Sequence, residues 1–222
     1  MDPSTWDLLL HSVGPLLMGA VAGTIPLTLL SFAIGLVIAL LVALGRLSSI
    51  RVLKGFAGAY VSVIRGTPLL VQLYIIFFAL PSLGVVIDPF PTAVLAFSLN
   101  VGGYAAEAIR GSILSIPRGQ WEAATTVGLG YALTLRRVIL PQAMRVAVPP
   151  LSNTFISLVK DTSLASTVMV TELLRRAQEI AAPSYQFMAL YSLAAVIYWV
   201  ICSVLSFAQQ RLERRLGRYV TS

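Results

Sequence analysis

Charge is scarce in this chain. Only 11% of its 222 residues are Asp, Glu, Lys or Arg, while 57% are hydrophobic and the mean hydropathy is +0.85. Soluble domains carry roughly 25% charged residues, so this shortage argues for an integral membrane protein. Cysteine is almost missing. The single Cys202 lies in an apolar run, so no disulfide can form within the chain, and it reads as a small core residue. The single histidine is His11, which leaves no zinc-ligand set. The only lysines are Lys54, followed by Gly55, and Lys160, followed by Asp161. A Walker A loop needs Gly-Lys followed by Ser or Thr, so the chain is not expected to hydrolyse ATP. No Lys or Arg precedes Arg46, whereas Asp2 and Asp7 do. That is the reverse of a signal-peptide start and suggests an N-terminus left outside the membrane.

What charge there is sits in telling places. The net +7 clusters between apolar runs and in Arg211, Arg214, Arg215 and Arg218, which favours a positive-inside membrane bias over nucleic-acid binding. A span needs about 20 apolar residues, so the chain accommodates about five and leaves no room for a separate soluble domain. Residues 1–222 are therefore expected to form one transmembrane domain.

The first uncharged stretch, Leu8 to Gly45, is interrupted by Gly14-Pro15, Gly23 and Pro26. It predicts an interfacial start and then a span ending near Leu44. Further spans are expected over Gly55–Leu80, Thr92–Ile116, Val146–Val170 and Tyr185–Ala208. Five spans with the N-terminus outside put Arg46, Arg51, Lys54, Arg118, Arg136, Arg137, Arg145 and the tail arginines inside. Arg175 and Arg176 fall outside, against the rule. Glu172/Arg176 and Arg175/Glu179 are i,i+4 pairs, so Thr171–Pro183 reads as a surface helix of balanced charge. No internal repeat is visible, which disfavours an inverted-repeat carrier.

One stretch is too polar to span. From Glu122 to Pro141 it carries Arg136 and Arg137, with Arg145 just beyond. Pro117 suits a helix start, Gly128 and Gly130 allow a tight turn, and Pro141 marks re-entry into the membrane. Two readings fit: an amphipathic helix on the inner leaflet, or a short cytoplasmic helix that docks on a partner.

Ionisable and polar residues inside a membrane are functional candidates. Asn100, Tyr104 and Glu107 share one helical face. Glu107 can pair with Arg110 at i+3 or touch a solute path. Asn153, Ser157 and Asp161 recur at i+4 steps, beside Lys160, and face either another helix or an aqueous cavity. Arg65-Gly66-Thr67-Pro68 is ambiguous. A span from Gly55 makes Pro68 a break at depth, whereas a span from Gly66 makes Arg65 a surface marker. His11, Trp6 and Trp121 read as interface anchors.

The spacing of Glu122-Ala123-Ala124, Gly128, Val138 and Leu140-Pro141 resembles the EAA loop of bacterial ABC importer permeases, with Val138 where that pattern usually has Ile. Arg65 to Gln72, Tyr104-Ala105-Ala106-Glu107 with Arg110-Gly111, and Lys160-Asp161-Thr162-Ser163-Leu164 are similar to the polar amino-acid branch of that family, and the stretch Leu151–Ala165 looks most like cystine permeases.

The resemblance implies an all-α, polytopic fold of five transmembrane helices with a cytoplasmic coupling helix, the type I ABC importer permease fold, in a bacterial cytoplasmic (inner) membrane. It implies a coupling segment of about 118–141, with Glu122, Ala123, Ala124, Gly128, Leu140 and Pro141 engaging an ABC ATPase dimer that binds the ATP and Mg. It also implies a second permease copy or sister permease, an extracytoplasmic solute-binding protein, and a polar amino acid, L-cystine first, as cargo. It favours the longer second helix, with Thr67 and Gln72 near the solute path beside Asn100, Tyr104, Glu107, Asn153, Ser157, Lys160 and Asp161. The rival expectation is a passive channel or membrane scaffold that needs no ATPase.

Overall fold

The first uncharged stretch forms one helical rod. A computed structural model describes residues 3–217 of the chain, so Asp2 and Arg218 lie outside the described residues. α1 (Pro3–Gly19) passes through a π-helical turn, Ala20–Thr24, into α2 (Ile25–Leu47). The expected interruption at Gly14-Pro15, Gly23 and Pro26 does not occur. Pro26 has no N–H to offer the Ala22 carbonyl, and the ladder absorbs this by widening to a π turn. The continuous helix Thr5–Leu47 has 43 residues, about 65 Å at 1.5 Å per residue. A hydrocarbon core of about 30 Å cannot hold it upright, so it tilts or projects.

α3 (Arg51–Gly66) and α4 (Leu69–Tyr74) meet at a bend of 106°. Pro68 prevents α3 from continuing, so the expected second span is a broken one. α4 leads through a π turn and a 3-10 turn to Gly84. α5 (Pro89–Leu114) follows as a single long helix. α6 (Arg118–Thr126) and α7 (Tyr131–Thr134) are short. α8 (Leu140–Asp161) runs on into a 3-10 stretch, Thr162–Val168. α9 (Leu173–Ser184) and the 31-residue α10 (Phe187–Gly217) complete the described chain.

Among the described residues every element is helical. Three helices are long and apolar enough to cross a membrane: Thr5–Leu47, Pro89–Leu114 and Phe187–Arg215. The bent pair α3–α4 supplies a fourth if counted as one span. α8 has the length, but Arg145, Asn153, Lys160 and Asp161 keep it below that apolarity.

The core forms where α5 lies against α2, α3 and α8. Phe97, Leu27, Leu73 and Leu158 are buried there with Ala39, Ala93, Ala96 and Ala105. Small residues set the helix spacing, as expected where apolar side chains gain nothing by leaving lipid. A Cβ on Gly35 would lie 2.6 Å from the Val101 side chain, and one on Gly102 would lie 2.6 Å from Ile38.

Two further expectations are corrected. Glu172 does not pair with Arg176 on a surface. It is fully buried, where its carboxylate caps α9 by accepting from the Arg175 N–H at 2.7 Å and accepts from Tyr198 Oη at 2.5 Å. Arg175 and Arg176 both turn to Glu179, at 3.3 and 2.9 Å. Cys202 is half-buried rather than in the core, because α10 leaves much of its length uncovered by the rest of the chain.

Candidate functional site

The polar segment folds as two short helices around one glycine. Pro117 precedes α6 and fixes its approach. At the other end Gly128 adopts φ +82°. Its N–H donates to the Thr125 carbonyl at 2.9 Å, and the Leu129 N–H donates to the Ala124 carbonyl at 3.0 Å. This is the Schellman arrangement of a helix C-terminus, which calls for glycine at the left-handed position. A Cβ there would meet nothing within 4 Å, so the demand is conformational and not steric.

Beyond the turn, α7 passes through a π turn, Leu135–Ile139, into α8, whose first turn holds Pro141. The logic repeats that of Pro26: a proline without an N–H follows a widened turn. One face of the segment is anchored. Trp121 stacks on Tyr131 with ring centroids 5.7 Å apart, and Gln142 donates to Gln120 Oε1 at 3.1 Å. Ile139, Ala143, Ile113 and Ile116 pack beneath, with Leu140 against them. Ala124 is buried. The opposite face is open, presenting Glu122, Ala123, Arg136, Arg137 and Val127, the last 74% exposed. Trp121 is thus a packing residue of the segment and not a free interface anchor, whereas Trp6 and His11 are exposed.

The second feature is a cavity of about 410 Å³ between α3–α4, α5 and α8. Thr67, Asn100, Tyr104, Asn153, Ser157 and Asp161 all line it. The two polar stripes foreseen on separate helices therefore face one space. Gln72 stands behind it: its Nε2 donates to the Ile64 carbonyl at 2.8 Å and to Thr67 Oγ1 at 2.9 Å, and its Oε1 accepts from Asn100 at 3.1 Å. The side chain thereby serves a carbonyl at the end of α3 that the broken helix leaves without its usual donor.

Glu107 and Lys160 do not line the cavity. Glu107 pairs with Arg110 and lies 3.8 Å from Arg46. Lys160 is exposed and makes no ion pair or side-chain hydrogen bond to the described residues. Asn153 also accepts from Gln209 of α10 at 2.9 Å, so the interhelical and cavity-facing roles coexist in that residue.

Residues 35–218 match the family described as the binding-protein-dependent transport system inner membrane component. The chain belongs to this family. It is the permease component of an ABC importer, and that membership removes the passive-channel and scaffold readings. The permease is 59% identical over 216 residues to the L-cystine transport system permease protein TcyB of Bacillus subtilis (strain 168), covering 97% of the chain and 92% of that protein. It is 43% identical over 204 residues to the glutamine transport system permease protein GlnP of Escherichia coli (strain K12), covering 91% and 93%. A solved structure, described as an amino acid ABC transporter with histidines, superposes with a TM-score of 0.91 at 35% identity, covering 97% of the permease and all of that chain. The fold is accordingly the type I ABC permease fold, and the relatives are permease subunits rather than ATPases.

Several contacts around the permease's polar features carried no local signal. Tyr60 donates to the Leu99 carbonyl at 2.6 Å. Arg65 lies over the Tyr104 ring, 5.4 Å from its centroid, a cation–π contact at the cavity wall. Gln209 joins α10 to the cavity through Asn153. All three pair residues far apart in sequence, where periodicity is silent.

Proposed function

We propose that this permease carries a polar amino acid, L-cystine first, into the cytoplasm by alternating access driven by a partner ATPase. The observation that carries the reading is the convergence of Thr67, Asn100, Ser157 and Asp161 on one cavity. A zwitterion needs a carboxylate for its ammonium and donors for its own carboxylate. Asp161 offers the first, and the Ser157 hydroxyl with the second N–H of the Asn100 amide offers the second, while the Thr67 hydroxyl is held by the Val63 carbonyl at 2.8 Å. The 59% identity to an L-cystine permease supports the choice of cargo.

In this reading residues 1–222 form one domain with five spans, counting the bent pair α3–α4 and the polar α8. The N-terminus lies outside and the C-terminus in the cytoplasm. Glu122, Ala123, Ala124, Gly128, Leu140 and Pro141 form or support the surface that meets an ABC ATPase dimer, which binds ATP and Mg. A second permease copy or sister chain completes the pathway, and an extracytoplasmic solute-binding protein delivers the cargo. Gln72, Tyr104 and Asn153 shape the path, while Glu107 and Lys160 flank it. The test is uptake of labelled L-cystine by the assembled transporter, with glutamine and arginine as competitors. Saturable ATP-dependent uptake blocked by excess cystine supports the reading. Uptake blocked better by another amino acid reassigns the cargo.

A further inference from the structure

A second cavity, of about 940 Å³, opens beside the segment that carries Glu122 and Gly128. Its lining changes from wholly apolar to partly polar toward the end of α2. Leu40 and Leu44 of α2 with Ile109 and Ile113 of α5 form the deep part. Leu40 lies about 10 Å inside the end of α2 at 1.5 Å per residue. The mouth is lined by Ser48, Ser49, Arg118, Trp121 and Tyr131. Leu40 and Leu44 remain 50% and 48% exposed. Arg118 makes no ion pair or side-chain hydrogen bond to the described residues.

We propose that this cavity binds an anionic phospholipid, its acyl chain along Leu40 and Leu44 and its headgroup at Arg118. The depth gradient fits a lipid: apolar below, hydroxyls, aromatic rings and a cation above. A soluble partner does not reach Leu40, and an amino acid finds no polar group beside it. Among the described residues Arg118 is the one charged residue in the cavity's lining, with Glu122 exposed beside Trp121. Arg51 and Lys54 are exposed and follow Ser48-Ser49 closely, and no Asp or Glu lies between Arg46 and Lys54. A cation near the surface favours an anionic lipid by a modest amount, while the apolar contact supplies the rest. The bound lipid would touch Trp121 and Tyr131, whose stack shapes the segment, so lipid charge would tune coupling. That consequence rests on the ATPase-docking reading, whereas the lipid site itself does not.

The test uses the assembled transporter in phosphatidylcholine vesicles with photoactivatable phosphatidylglycerol or photoactivatable phosphatidylcholine. The expected result is phosphatidylglycerol labelling of the ends of α2 and α5. Arg118→Gln should lower it about fivefold and leave phosphatidylcholine labelling unchanged. Leu44→Trp should lower both, and Leu40→Trp serves if that variant fails to assemble. Labelling that is absent, or equal for the two probes and indifferent to Arg118→Gln, overturns the proposal. So does efficient cross-linking of Leu44→Cys, in a Cys202→Ser background, to a second copy of the chain. If labelling behaves as expected but phosphatidylglycerol fails to change solute-stimulated ATP hydrolysis, the lipid site stands and its link to coupling fails.

Discussion

Asn100 and Gln72 are joined by a hydrogen bond of 3.1 Å that ties the broken second span to the wall of the polar cavity. The same Gln72 amide serves the carbonyls of Ile64 and Thr67 on the far side of the 106° bend. One side chain thus holds both the bend and the cavity edge. Gln72→Ala removes the donor and leaves carbonyls and the Asn100 amide unpaired. Such loss costs about 1–3 kcal/mol. The expected outcome is a lower unfolding temperature in detergent together with reduced uptake, while Gln72→Glu, which keeps only the acceptor side, recovers less than half of the loss.

Gly128 gives a separable prediction. An ordinary L-residue in its left-handed conformation costs about 1–2 kcal/mol, whereas Asn tolerates that region. Because a Cβ there meets nothing within 4 Å, any loss from the side chain itself would come from the partner surface. Gly128→Asn should retain more ATP-coupled uptake than Gly128→Val if the turn is what matters. Equal, severe loss in both would assign the position to close contact with the partner. Uptake assays with matched membrane expression decide between them.

Glu172 binds three elements together. Its carboxylate caps α9, accepts from Tyr198 of α10 and accepts from Thr24 at 3.4 Å. Glu172→Ala removes the cap, worth about 0.5–2 kcal/mol, and strands buried hydroxyls at about 1–3 kcal/mol. Thermal unfolding should show Glu172→Ala clearly below wild type and Glu172→Gln between the two. Gly23→Ala should be destabilising as well, since its Cβ would fall 2.2 Å from the Thr171 carbonyl oxygen.

Asp161 is the acidic group in the polar cavity's lining. Its carboxylate makes no hydrogen bond to the described residues, which leaves it available to an ammonium. A charge-assisted hydrogen bond is worth about 1.5–3 kcal/mol, so Asp161→Asn should weaken apparent solute affinity about tenfold or more. Unchanged affinity and selectivity in this variant and in Asn100→Ala would move the solute path elsewhere.

What could be read in the sequence depended on whether the cause was local. The stripes Asn100/Tyr104 and Asn153/Ser157/Asp161 follow helical periodicity, and the structure turns both into one cavity. Pro117 and Gly128 bounded α6 because proline and left-handed glycine act on their own backbone. The continuity of α1 into α2 was not legible, because a π turn lets a helix carry proline that would otherwise break it. Glu172 looked like a surface ion-pair residue because Arg176 stands four positions on, while the side chains that meet its carboxylate, Tyr198 and Thr24, are 26 and 148 positions away. The bend at Thr67-Pro68 stayed ambiguous for a similar reason: proline announces a break but not its depth or its angle.

The central claim is that the exposed turn around Glu122 and Gly128 couples an amino-acid path to a partner's ATP hydrolysis. The most direct test is ATP hydrolysis by the co-purified, reconstituted complex across a panel of amino acids presented with the binding protein. The account predicts that L-cystine stimulates hydrolysis most, and that Glu122→Ala abolishes uptake and this stimulation while the permease remains in the membrane. A permease that co-purifies with no ATPase, or hydrolysis indifferent to every amino acid tested, would contradict it.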